Sequence, residues 1–104
     1  MANKEVQFKD GNDNIFPKIA NRRINSNTNL DNCMEPGTWN CWTSTDAGTL
    51  TNSPITNAGF PMEVFLVGDG NARMQVIYSG QTIYVRRRTS TAWGSWYKYT
   101  GTQI

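Results

Sequence analysis

The sequence predicts an all-β fold, and three observations carry that prediction. Residues 60–99 hold apolar runs separated by glycine-bearing turns, Gly68-Asp69-Gly70-Asn71 and Ser79-Gly80-Gln81. Those runs are rich in β-branched and aromatic residues, which suit a pleated, half-buried surface. Asn, Thr, Ser and Gly fill the gaps, and no stretch supports a helix beyond a turn or two.

Taken in order, residues 1–25 read as an extended arm or small attachment hairpin. Lys4 to Lys9 alternates, with Val6 and Phe8 on one side, and Asp10-Gly11-Asn12-Asp13 is a turn. Pro17 cannot donate to a ladder, so Ile15-Phe16-Pro17 is an edge or a linker. The segment is either an arm that docks on another protein or an edge of the main domain.

Residues 26–104 read as the β-rich domain. Asn25 to Asn32 is a polar loop anchored by Leu30. After the Pro36-Gly37 turn, Thr38 to Thr45 is a strand with Trp39 and Cys41 on one face and Trp42 on the other. Asp46 to Ala58, with Pro54 inside it, is a long polar connection of the kind that carries function or packs on something. Met62 to Val67 is apolar on both faces, which suits a strand covered on both sides by a second sheet or a partner chain. Ala72 to Tyr78 and Ile83 to Arg88 form the next hairpin. A two-residue turn at Gly80-Gln81 places Gln75 opposite Arg86 and Ile77 opposite Tyr84; a shift of two residues keeps the faces and changes the partners. One face is then Met74, Val76, Tyr78, Ile83 and Val85. The other, mixed face is Gln75, Ile77, Tyr84, Arg86 and Arg88. Trp93 to Thr100 is a last aromatic strand. The expected architecture is an antiparallel meander packed as a small β-sandwich.

The chain has 104 residues and 38% hydrophobic content, enough for one modest core. A net charge of +2 gives no case for nucleic acid. No run reaches transmembrane length, and Met1 to Asp10 is too polar for a signal peptide, so folding in a cytosol without membrane insertion is expected. There is no histidine, which removes most triads and metal sites, and neither a metal nor another cofactor is expected. Cys33 and Cys41 flank the Glu35-Pro36-Gly37 turn. They could face each other across a hairpin, but two small buried side chains are favoured in a reducing compartment.

Catalysis on a glycan needs two positioned carboxylates. Most of the acidic residues lie in turns, and Glu63, within a strand, could pair with Arg87, so no enzyme activity is expected. Sugar recognition needs flat aromatic faces beside planar polar groups. Tyr84, Arg86 and Arg88 on the mixed face offer that, as do Trp42, Tyr97 and Tyr99 if exposed. The alternative for the arginines is a solvated or stacked edge strand.

The order Asn29-Leu30-Asp31, Pro36-Gly37, Gly59-Phe60, Gln75, Tyr84, Arg86, Trp93 and Trp96 resembles the pyocin-knob domain of bacteriophage tail fibres and phage-derived bacteriocin fibres. The resemblance runs from Asn29 to Thr100. Val6-Gln7-Phe8-Lys9-Asp10-Gly11 also looks like the start of small virion structural proteins. The resemblance implies a β-rich knob, usually homotrimeric, at or near a fibre tip, with Gln75, Trp93 and Trp96 as fold-signature residues. It implies virion localisation, a homo-oligomer, virion partners met through the N-terminal arm, and attachment to host-surface glycans. A purely structural fibre or decoration protein is the alternative, and a carbohydrate-binding accessory module a second one. Fibre proteins carry a long shaft before the knob, so this chain is expected to be either an excised knob or a short spike.

Overall fold

The computed structural model describes residues 21–104. The expectations for Val6, Phe8 and Ile15-Phe16-Pro17 lie outside the described residues. Six strands form one sheet in sequence order: β1 (Asn21–Arg23), β2 (Gly37–Cys41), β3 (Phe60–Leu66), β4 (Arg73–Ser79), β5 (Thr82–Arg88) and β6 (Tyr97–Thr100). β1 and β2 run parallel, and every later pair is antiparallel. A parallel pair needs a crossover of about a dozen residues or more, and residues 24–36 supply it. β1 falls in the segment read as an arm, and it is an integral strand of the sheet.

The hairpin between β4 and β5 has the expected register, with Gln75 opposite Arg86, Val76 opposite Val85 and Ile77 opposite Tyr84. Gly80 carries φ +60°, which a two-residue reversal of this hand requires. The all-β meander therefore stands. Its second layer, among the described residues, is built from connections in place of a second sheet. These are the crossover with its single 3₁₀ turn at Leu30–Asn32, the short helix α1 (Ser44–Ala47), the 48–59 loop, and the Trp93–Trp96 segment. Thr43 caps α1 by accepting from the Asp46 N–H.

The core lies between the sheet and these connections. Ile24, Leu30, Cys33, Cys41, Ala47, Ile55, Phe60, Met62, Val64 and Ile77 are buried there, with Trp39, Leu50, Tyr84 and Trp96 packed against them. Leu30 is the anchor its isolation in a polar loop predicted. Cys33 and Cys41 are both buried and unbonded. Burial pushes the Cys33 thiol up to about 11, against the pull of the nearby Arg86 charge, so it stays protonated near neutral pH.

The inward face of β4 and β5 is the mixed one. Register places Gln75 beside Val64, and Ile77 beside Met62 and Tyr84. The apolar face points out: Phe65, Tyr78, Ile83, Tyr97 and Tyr99 are exposed. Within the single chain β3 is covered on one side, and Phe65 on its other side is exposed. Glu63 on the outer face accepts from the Tyr78 hydroxyl at 2.7 Å; the expected Arg87 pairing is replaced by this bond. The physical reason for the reversal is a polar network strong enough to bring an arginine inside.

Candidate functional site

The network starts at Gln75, which is fully buried. Its Nε2 donates to the carbonyls of Leu30 (2.8 Å) and Cys33 (3.1 Å), fixing the crossover against β4. Its Oε1 accepts from Arg86 Nε at 2.8 Å. Arg86 Nη1 donates to Asp31 Oδ1 at 2.9 Å, making an ion pair in which the arginine side chain is 4% exposed. The guanidinium lies 4.2 Å from the Trp93 ring centre and 4.7 Å from that of Trp96. A guanidinium is weakly hydrated and planar, so it enters such a slot more readily than an ammonium group. Burial pulls the Arg86 pKa down, while the hydrogen bond and charge of Asp31 raise it.

Both indoles are anchored to the same connections. Trp93 Nε1 donates to the Asp31 carbonyl (3.0 Å) and Trp96 Nε1 to the Asn52 carbonyl (2.9 Å). Asn52, at φ +60°, donates from Nδ2 to Asp31 Oδ2 and to Asn29 Oδ1, both at 3.0 Å. Buried polar groups contribute when each finds a partner; here Gln75 is fully paired and Arg86 is paired through Nε and Nη1, while its Nη2 is buried without a hydrogen-bond partner. This network ties β4, β5, the crossover, the 48–59 loop and the Trp93–Trp96 segment into one body.

A second arginine–tryptophan stack lies at the opposite side of the sheet. Arg23 of β1 sits 3.9 Å from the centre of the Trp42 ring. Arg23 Nη2 also pairs with Asp46 Oδ2 at 3.0 Å, and Ser26 donates to Asp46 Oδ1. Hydrogen bonds from Ser26 first, and then from Arg23, hold the Asp46 carboxyl below its ordinary range. Trp42 itself is 63% exposed. Gly59 backs it: a Cβ there would stand 2.6 Å from the Cys41 carbonyl oxygen and 3.0 Å from that of Trp42.

The structure separates the six residues proposed from sequence as ligand contacts. Arg86 is buried and Tyr84 packs against the core. Arg88 spends Nη1 on the carbonyls of Asn71, Thr89 and Ser90. The enclosed Arg86 is not a free surface donor, which corrects its place on an exposed face, whereas Arg88 is half-buried with Nη1 engaged. Tyr97 and Tyr99 lie on the outer face beside Val85 and Ile83. Trp42 extends from β2, four strands away from β6, or about 19 Å at ordinary strand spacing. Sequence reasoning missed Arg23, Asp46 and Asn52, whose partners are distant in the chain and leave no local signal. No helix among the described residues is long and apolar enough to cross a membrane.

Searches of family models and of curated proteins give no match to the chain. Solved structures do match. The N-truncated R2-type pyocin tail fibre aligns at TM-score 0.70 and 26% identity, over 83% of this chain and 34% of that one. A C-terminal portion of the P. aeruginosa R1 pyocin fibre aligns at TM-score 0.70 and 20% identity, over 83% of this chain and 23% of that one. The corresponding portion of the R2 fibre aligns at 0.70 and 26%, over 83% and 24%. The described chain is a pyocin-fibre-like domain. It spans 23–34% of the fibre chains it matches. Within this pyocin-fibre-like domain, seven of the twelve residues that carried the resemblance in sequence, Asn29, Leu30, Asp31, Gln75, Arg86, Trp93 and Trp96, meet in one network.

Proposed function

We propose that this domain belongs to a virion or tail-fibre-like particle, made in the host cytoplasm, and helps attach that particle to the host cell surface by binding surface glycans. The observation that carries the reading is the match to pyocin tail fibres over 83% of the chain. Three exposed aromatic side chains, Trp42, Tyr97 and Tyr99, supply the flat faces that sugars take. The domain works without catalysis in this reading. Asp31 and Asp46 are committed to arginines and Glu63 to Tyr78, so none is poised as an acid–base pair. The test is binding of labelled protein to a panel of intact bacteria and to their extracted surface polysaccharides. Saturable binding to at least one polysaccharide is expected. Binding to none would remove glycan attachment.

A second reading, structural assembly alone, is favoured by the outer sheet face. Phe65, Tyr78, Ile83, Tyr97 and Tyr99 form an exposed apolar surface, and such surfaces mark interfaces. A homotrimer that covers this face is the expected assembly, with other virion proteins as further partners. Sedimentation at micromolar concentration should show a trimer, and a lone subunit would count against self-assembly.

A further inference from the structure

The chain has four tryptophans. Three of them donate Nε1–H to a backbone carbonyl: Trp39 to Glu35, Trp93 to Asp31 and Trp96 to Asn52. Trp42 makes no such bond among the described residues, and it is the tryptophan left exposed, at 63%. Its exposure is nevertheless ordered. Arg23 stacks on the ring, Asp46 holds Arg23, and Ser26 holds Asp46. Gly59 packs against the carbonyls of Cys41 and Trp42. An indole supported in this way loses little conformational freedom on binding, which favours affinity.

Polar groups suited to hydroxyls lie alongside. Arg23 is the register partner of Asn40, and Asn40 Nδ2 donates to Asn21 Oδ1 at 3.1 Å. Strand alternation puts Asn21, Arg23 and Asn40 on one face, with Trp42 two residues beyond Asn40. An aromatic plane next to amides and a guanidinium matches a pyranose ring: C–H groups on one face, hydroxyls around the rim.

We infer that Trp42, supported by Arg23 and flanked by Asn40 and Asn21, is a saccharide-binding platform on which a pyranose ring stacks. This deepens the glycan reading and rests on it. It moves the contact surface from the β5 arginines to the β1–β2 edge. The pairing of Arg23 with Asp46 balances charge locally, so a neutral sugar residue suits the platform better than a polyanion.

The experiment uses the full chain with ¹⁵N-labelled tryptophan and amides, titrated with short oligosaccharides of hexoses, N-acetylhexosamines and deoxyhexoses. At least one should shift the Trp42 indole N–H, assigned by its loss in Trp42→Phe, and leave the other indole signals in place. Trp42→Ala should weaken that binding about tenfold or more, and Trp42→Phe should weaken it less. Both variants should stay folded and unfold cooperatively within about 8 °C of the parent, so that binding measured well below that transition separates binding loss from folding loss. If an oligosaccharide binds, as backbone amide shifts report, and Trp42→Ala leaves the affinity within about twofold, the platform is wrong and the glycan reading survives. If none binds and intact cells are not bound either, the glycan reading fails and takes the platform with it.

Discussion

Arg86 lies between Trp93 and Trp96 with 4% of its side chain exposed, and Arg23 lies on Trp42 with 40% exposed. The chemical pair is the same, a guanidinium against an indole with a carboxylate at its end. The surroundings differ. Around Arg86, both indole N–H groups are bonded inward and the carboxylate belongs to the crossover that closes the core. Around Arg23, the indole is open to solvent and the carboxylate belongs to a four-residue helix that Thr43 caps. An arginine–tryptophan contact therefore has no fixed role. Its role follows from where the remaining hydrogen-bond capacity of each partner goes.

The sharpest way to break this comparison is at Arg86. Arg86→Ala leaves Gln75 Oε1 and Asp31 Oδ1 without their donor and empties the space beside two rings. Removing one partner of a buried pair typically costs about 3–5 kcal/mol, a large share of the stability of an ordinary domain. Arg86→Lys should recover little of it, because an ammonium group cannot present the planar fork or stack on both indoles. Urea unfolding of the three proteins measures this. A loss near that of a surface substitution would mean that the network is ornamental.

Next in size is Gly59→Ala. The new Cβ meets backbone oxygens at 2.6 and 3.0 Å, which no rotamer change relieves. Overpacking of this kind costs about 1–3 kcal/mol. It should also displace Trp42, visible as a shift of its indole signal while those of Trp93 and Trp96 hold still. Movement of all three would show that the two stacks are not independent.

A smaller effect is expected from acid. Asp46 has a folded pKa depressed below 3.8 by Ser26 and then Arg23. A depressed carboxyl contributes stability that is complete above its unfolded value and is lost as pH falls through the folded value. Acid destabilisation should therefore include a component below pH 3.8 that Asp46→Asn removes. Identical acid limbs for parent and variant would contradict the assignment.

The strand plan was legible because glycine turns and alternation are local. Gly80 sets a two-residue reversal, and the register from Gln75 to Arg86 follows from it. The inward face was not legible by the same rule. Gln, Tyr and two arginines alternating with Met, Val and Ile look like a wet face, and only Asp31, 55 residues before Arg86, makes them a core. The resemblance to fibre knobs named Gln75, Arg86, Trp93 and Trp96, but pattern alone could not supply their geometry. The same limit hid the second stack. Trp42 is visible as an aromatic out of phase with Trp39 and Cys41, yet nothing near it in sequence announces Arg23 or Asp46.

The smallest expected effect is the most discriminating. Trp42→Ala should cost under about 1 kcal/mol, since an exposed cation–π contact contributes about 0.5–1 kcal/mol and Arg23 keeps its carboxylate. Trp93→Ala should cost more, about 2–3 kcal/mol, since it takes a half-buried ring off Arg86 and the indole donor off the Asp31 carbonyl. Double-mutant cycles sharpen the point: Arg23 with Trp42 should couple by less than 1 kcal/mol or so, and Arg86 with Trp93 by about 2 kcal/mol or more. Equal costs and equal couplings would make Trp42 one more closing residue of the core, and its exposed face would then need no ligand to explain it.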